Sequence, residues 1–375
     1  MNDWNRESAR LSGSAPASLL VRLKRLAANY REAARRAGGP TVAPVVKANA
    51  YSLGLTPVAR ALSQAGADNF FVARVDEGIA LRVVLPDARI FVLDGLAPGA
   101  APALIAHRLI PVLNAMDEVA EWSARGKGEK RKLEAALQID TGMNRSGIPY
   151  WEVAQIAAEA RTLLSDIDVV LTLSHLACAD EPDHAMNRTQ LERFRSCLAR
   201  LPLSRASFAA SAGIELGKDF LFDMVRPGLA LCGGNPVPSR ANPYANVATL
   251  TGRVLQIRRI EPGETVGYGG AFTAKRPTVL AIAAIGYADG LIRARGASGA
   301  AAIAGIRVPF AGRISMDLVA LDATDVPGQA LGPGAEVEFL GETITLEEVA
   351  KAAGTITHEV LTSISPRAAR FYSEE

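Results

Sequence analysis

Lys47 stands at the exit of a short apolar run, Pro44-Val-Val-Lys47, with Tyr51 four residues on and Gly54 after it. A run this short and β-branched reads as a buried strand, and a lysine at its end loses part of its hydration. Desolvation lowers a lysine pKa, and the neutral amine is the form that attacks carbonyls to make Schiff bases. The same segment also suits a lysine that reaches back to solvent from a strand end. Further along, Arg226 lies in an apolar run with Met224, Val225, Leu229 and Ala230 around it. A guanidinium there needs a fixed partner, and a neighbouring carboxylate is one choice. Ser211 and the Gly228 amide suit a phosphate, because small residues let backbone donors approach an anion.

The elements that must position these residues follow a rhythm. Short apolar runs at 41–47, 69–73, 90–94, 110–114, 133–140, 167–175, 206–210 and 224–232 alternate with amphipathic helical patterns. Examples are Val58-Leu62-Ala65, Val153-Ile156-Ala160-Leu163 and Leu191-Phe194-Leu198. A further helix is expected ahead of them, where Leu19, Leu23, Leu26 and Tyr30 recur at helical spacing before Gly38-Gly39-Pro40. About eight strand–helix units in this span match a (β/α)8 barrel. A doubly wound sheet is the competing architecture, but the turn after the first run, Ala48-Asn49-Ala50-Tyr51, has no glycine-rich phosphate fingerprint.

Beyond Gly233 the stretch 234–243 is rich in proline and aperiodic, which reads as a linker. Strands are then predicted at 247–260, 279–285, 303–311, 318–322 and 337–340, with one helix at 346–353. Gly267-Tyr-Gly-Gly270 reads as a hairpin or bulge, since no helix follows it. The expected organisation is a lead-in at 1–15, a barrel at 16–236 and a mostly-β domain at 237–375. In such barrels chemistry sits at the carboxyl ends of the strands. Lys47, Asp140, Arg145, Ser174-His175, Ser211 and Arg226 would all lie there. An amine, a phosphate cradle and a buried arginine around one barrel mouth suggest a phosphorylated aldehyde held as a Schiff base. Pyridoxal phosphate is the commonest such group.

Composition narrows the classes. The chain has 375 residues, too many for one ordinary core. Its net charge of +2, with the signs interspersed, gives no reason to expect nucleic acid or an anionic membrane as partner. Three cysteines, Cys178, Cys197 and Cys232, are far apart and odd in number, which speaks against a disulfide framework or thiolate zinc site and for a reducing compartment. No two of the 4 histidines have metal-ligand spacing, so no metal is expected. The first 14 residues lack the apolar core of a signal peptide, and the most apolar stretch, 278–286, is about half a membrane span. The expected location is the cytoplasm.

Over nearly its whole length the chain resembles the alanine racemases, barrel-type enzymes dependent on pyridoxal 5'-phosphate. The segments that carry the resemblance are Val45-Val-Lys-Ala-Asn-Ala-Tyr51, Ile139-Asp-Thr-Gly-Met-Asn-Arg145, Ser174-His175, Val225-Arg-Pro-Gly-Leu-Ala-Leu231, Gly286-Tyr-Ala-Asp-Gly290 and Gly312-Arg-Ile-Ser-Met-Asp317. The resemblance implies that Lys47 carries the cofactor as a Schiff base. Tyr51, Ser211 and the Gly228 and Leu229 amides would hold its phosphate. Arg145 would sit by the phenolic oxygen and the substrate carboxylate, and Arg226 by the pyridine nitrogen with His175 bonded to it. Tyr287 and Met316 would come from the second domain of a partner subunit, Met316 to bind the substrate carboxylate. The implied assembly is a homodimer with two composite sites.

The implied reaction is racemisation of a small amino acid, alanine first and serine as an alternative, by Lys47 on one face and Tyr287 on the other. A barrel-type decarboxylase or a non-catalytic cofactor carrier are the competing readings; the first uses an acidic partner where this chain has Arg226, and the second lacks the β domain. Two departures stand out. Gln138 replaces a lysine that is usually carbamylated, so a glutamine oxygen would be left to accept from Arg145. His358 replaces a tyrosine that contacts the phosphate, and an imidazole there would still donate, with more pH sensitivity.

Overall fold

The computed structural model describes residues 15–202 and 204–374. The lead-in predicted at 1–15 therefore lies, but for its last residue, outside the described residues.

Eight parallel strands form the ring of the first sheet: Thr41–Val42, Asn69–Val72, Arg89–Val92, Ile110–Leu113, Leu133–Asp140, Ile167–Leu173, Arg205–Ala210 and Met224–Arg226; a ninth, Ile148–Pro149, pairs alongside Leu133–Asp140. From the second on, each pairs with the next in chain order, and the last returns to the first through Met224↔Thr41 and Val225↔Val42. The remaining seam, between the first and second strands, closes at Val45↔Phe71, where Val46 N–H donates to Phe71 O (2.8 Å) and Phe71 N–H to Pro44 O (2.9 Å). The barrel is filled by Ala43, Phe71, Phe91, Ile110, Val112, Ala136, Leu171, Leu173 and Met224. Packing side chains inside the ring makes it a core and leaves the strand ends as the place for chemistry.

The second sheet is built on one long strand, Ala248–Ile260. Its first half pairs with Glu336–Leu340 on one side and Ala17–Arg22 on the other; its second half pairs with Thr278–Ala283, which pairs with Val319–Asp322. Ala369–Ser373 closes the far edge, parallel to Ala17–Arg22. Helix Leu346–Ala353 forms where it was predicted, capped by the Thr345 side chain accepting from Glu348 N–H.

Three expectations are corrected. The helix predicted from Leu19 begins only at Leu23, and runs as Leu23–Ala37. Ala17–Arg22 alternates buried and half-buried residues with period two and joins the β-rich sheet, so the barrel unit predicted from residue 16 lends its first strand to the other unit. The apolar pattern of 19–30 hid this because Leu19 satisfies both periods. The single strand predicted at 303–311 is a hairpin, Ala300–Ile303 against Ile306–Pro309. Its two turn residues, Ala304 and Gly305, both take positive φ (51° and 77°), as a tight hairpin turn requires. The run 41–47 keeps strand geometry only to Val42, with a bridge at Val45. The Gly267–Gly270 stretch does turn a hairpin, between Thr265–Val266 and Phe272–Thr273. Among the described residues no helix is long and apolar enough to cross a membrane.

Candidate active site

Lys47 opens a turn of the wrong hand. Ala48, Asn49, Ala50, Tyr51 and Ser52 all take positive φ, between 52° and 64°, without a glycine among them. Left-handed helical backbone costs an L-residue roughly 1–2 kcal/mol, so the turn persists only because its surroundings over-determine it. At its start Glu77 accepts from Ala48 N–H (2.6 Å) and Ala73 N–H (2.8 Å), tying it to the second barrel strand. Within it Ala50 N–H donates to Val46 O and Ser52 N–H to Ala48 O, both at 2.9 Å. The Asn49 side chain accepts from Leu55 N–H (2.7 Å) and so starts the next helix. Burial, helped by the Arg145 charge and opposed by Glu77 and Asp94, pushes the Lys47 amine below its ordinary value. That raises the neutral, nucleophilic fraction at a given pH.

The turn also delivers Tyr51 to an anion cradle. Ser211, buried at the end of strand Arg205–Ala210, accepts on its hydroxyl oxygen from Gly228 N–H (3.0 Å) and Ala230 N–H (3.2 Å). The Leu229 N–H between them has no acceptor among the described residues, although Leu229 is only 5% exposed. The Tyr51 hydroxyl lies so close to Gly228 that a Cβ there would sit 2.1 Å from its oxygen. Tyr51 is buried, its hydroxyl bonds no described residue, and burial raises its pKa, so it stays a donor. A free buried amide and a free hydroxyl, beside a serine, are what an oxyanion such as a phosphate completes.

Arg226 has no carboxylate partner among the described residues. Its guanidinium donates to the Ser207 hydroxyl and to Ser174 O (2.7 Å), lies 5.8 Å from the Phe71 ring centroid, and approaches His175 Nδ1 at 3.5 Å. Burial pushes it down to about 10, so it remains charged at neutral pH. Burial first, then Arg226, Arg145 and Lys47, push His175 down to about 3. The imidazole is thus neutral, with Nδ1 free to accept from Arg226.

Arg145 is exposed on the loop after Leu133–Asp140, close enough to Lys47 and His175 to lower both. The loop is shaped by Asp140, which accepts from Gly142 N–H (2.8 Å) and Asn144 N–H (3.2 Å). Gln138 does not do what was expected of it. Its amide nitrogen donates to Ser146 O (3.1 Å), so it braces the loop backbone rather than the Arg145 side chain. His358, on helix Thr357–Thr362, faces the mouth from the β-rich unit with its ring 6.1 Å from that of Tyr51, and burial and Lys47 push it down.

Tyr287 and Met316 are brought together by the backbone of the β-rich unit. Tyr287 N–H donates to Ser315 O and Ala288 N–H to Met316 O, both at 3.0 Å, and a Cβ on Gly286 would meet Met316 O at 2.1 Å. Asp289 holds this turn by accepting from Gly286 N–H (2.9 Å) and pairing with Arg367 (3.2 Å). Tyr287 and Met316 remain 41% and 53% exposed. No hydrogen bond, ion pair or ring contact among the described residues joins either to Lys47, His175 or Arg145 within the chain.

Sequence reading missed the supports. Gln190, fully buried, donates to His175 O (2.9 Å) and the Thr141 hydroxyl (3.1 Å) and accepts from Ala177 N–H (2.9 Å). It thereby fixes the His175 loop against the Arg145 loop. A glutamine on the apolar side of helix Ala185–Leu198, one residue before Leu191, was the available signal. Glu77 gave none, since acidic residues at a helix start are ordinary.

A parallel barrel with a lysine at its mouth, an anion cradle and a buried arginine without a carboxylate partner is a class of site suited to a phosphorylated aldehyde. The family model described as alanine racemase, N-terminal domain, matches residues 21–236, and that of the C-terminal domain matches 247–372. A catabolic alanine racemase of Agrobacterium fabrum is 44% identical over 96% of this chain and 93% of its own. A biosynthetic alanine racemase of the same organism is 44% identical over 96% and 94%. The crystal structure of alanine racemase from Bartonella henselae, with covalently bound pyridoxal phosphate, superposes with a TM-score of 0.92 at 38% identity, covering 96% of this chain and 100% of that one. The chain belongs to the alanine racemase family.

Proposed function

We propose that the chain interconverts L- and D-alanine with pyridoxal phosphate, using Lys47 and Tyr287 as acid–base groups on opposite faces of the substrate. The observation that carries this is the junction of Tyr51 with Gly228, which joins the amine-bearing turn to the anion cradle. Tyr51, Ser211 and the amides of Gly228 and Leu229 would hold the phosphate, with His358 donating from the β-rich side. When bound, the cofactor supplies the electron sink for the charge left by the α-proton.

Arg226 stays charged and donates, so beside the cofactor's pyridine nitrogen it would offer a hydrogen bond but could not take up a proton there. Lys47, desolvated, takes or returns a proton on one face. Tyr287 of a second copy would do so on the other, backed by neutral His175 and Arg226, and Met316 of that copy together with Arg145 would bind the carboxylate. The exposure of Tyr287 and Met316 supports an assembly of two copies. The barrel unit would extend to residue 236 and the β-rich unit from 237, apart from the exchanged strand Ala17–Arg22. A cytoplasmic setting fits the three free cysteines. Nothing favours the decarboxylase or carrier readings, since Arg226 meets no carboxylate and the second unit presents a formed Tyr287 turn.

A chiral product assay over the common L-amino acids, paired with borohydride reduction and peptide mapping, tests the reading. D-alanine should form, and the label should fall on Lys47. Label elsewhere, or release of CO₂ without D-isomer, would overturn it.

A further inference from the structure

The strained turn is clamped at both ends, and the distal clamp lies far away in sequence. Arg370, on strand Ala369–Ser373, spends four donor contacts on four carbonyls. Its Nε donates to Ser52 O (2.8 Å), Nη1 to Ser365 O (3.1 Å) and Ala368 O (2.9 Å), and Nη2 to Ile364 O (3.0 Å). Ser52 is the last residue of the left-handed run, and its own hydroxyl donates to Thr362 O (3.2 Å). Two residues on, and so on the same face of the strand, Tyr372 presses its hydroxyl against Gly54, where a Cβ would lie 2.1 Å from it. The strand itself is anchored by parallel pairing, Leu19↔Arg370 and Val21↔Tyr372, to the segment that leads into the first barrel helix. No carboxylate pairs with Arg370 among the described residues. All of its bonding is to backbone, and one arm of it reaches the turn that begins at Lys47.

We propose that Arg370 is a positioning residue for Lys47: by clamping Ser52 it holds the left-handed turn closed and keeps the amine in reach of the anion cradle. This rests on the reading of Lys47 as the cofactor's amine. The left-handed run has a native cost that Ala48, as an L-residue with a Cβ, carries and a glycine would not. Loss of the clamp should let that segment relax toward ordinary φ and swing the amine away.

The test uses full-length protein freed of cofactor and re-exposed to pyridoxal phosphate, with borohydride added at timed intervals and label quantified on the Lys47 peptide across pH. Arg370→Ala should slow labelling by about ten-fold or more, the scale set by an ångström-level misplacement. Adding Ala48→Gly should restore most of that loss, because glycine removes the penalty the clamp opposes. A general loss of packing would not be repaired by that glycine. Should Arg370→Ala fail to fold, Arg370→Lys decides, since it keeps the charge but not the planar fan of donors. Labelling at the wild-type rate in the variant, or an unchanged loss in the Ala48→Gly background, overturns the proposal. Absence of label on Lys47 in the wild-type chain would instead end the functional reading itself.

Discussion

The turn that carries Lys47 is enclosed by its own chain, whereas the turn that carries Tyr287 opens outward. The first is held at its start by Glu77 and at its end by Arg370, and it delivers Tyr51 into a buried cradle. The second is just as well built, with Asp289 and the Ser315 and Met316 carbonyls fixing its backbone, but Tyr287 and Met316 project beyond the chain's own surface. Within one chain, then, the amine-bearing turn and the proposed anion cradle are both built from contacts of the chain's own residues. In the proposed scheme Tyr287, fixed at the backbone but exposed, would act as the opposite acid–base group on a second copy.

The sharpest way to break that comparison is to mix two dead variants. Lys47→Ala should lose all racemase activity and all borohydride label, and Tyr287→Phe should lose on the order of 10²–10⁴-fold while keeping the label. Co-refolded in equal amounts, the two should regain about a quarter of wild-type activity, since half the assemblies would be mixed and each of those would hold one intact site. No recovery in the chiral assay would mean that Lys47 and Tyr287 serve the same chain.

Gly228→Ala probes the enclosed half alone. The new methyl must displace the Tyr51 hydroxyl, an overpacking worth about 1–3 kcal/mol. Cofactor affinity, measured by equilibrium dialysis, should fall, with the pairing of two copies in ultracentrifugation unchanged. Gln190→Leu acts on the support beneath both arginine and histidine loops. It leaves the His175 carbonyl and the Ala177 amide without their partner, at about 1–3 kcal/mol in thermal unfolding, and kcat should drop more than KM.

The last effect is confined to acid stability. His175 is held near 3 in the fold and ordinarily titrates near 6.5, so between those values the unfolded chain binds the extra proton. Stability from this group is complete above pH 6.5 and is lost as pH falls toward 3, by at most about 1.4 kcal/mol per pH unit. His175→Gln should flatten that part of the melting-temperature profile. An unchanged slope would show that the imidazole is not held neutral.

How much of this was legible in the chain differs between the two regions. The barrel strands announced themselves as apolar runs because parallel strands are buried on both faces, and all eight begin within a residue or so of where the runs were read, though those at 41–47 and 224–232 end early, at Val42 and Arg226. The β-rich unit was legible in outline only. Its edge strand Ala369–Ser373, the hairpin at Ala304-Gly305 and helix Thr357–Thr362 gave weak local signals, and strand Ala17–Arg22 hid inside a helical pattern. Lys47, Arg226 and Ser211 could be singled out because each residue type conflicts with, or is unusually small for, its apolar neighbourhood. Glu77 and Arg370 could not, since the bonds that matter reach backbone 29 and 318 residues away, while Gln190 betrayed itself only as a polar residue on an apolar helix face.

The order of residues alone determined which groups are present and that a parallel barrel would bring the strand-end ones to a common rim, because hydrophobic period and β-branching are local properties. Only the tertiary structure decided that the lysine turn is left-handed, that Arg226 meets backbone and hydroxyl oxygens instead of a carboxylate, and that Tyr287 faces outward. Those outcomes depend on contacts made between distant segments, and a backbone held against its own preference is stable only once those contacts exist.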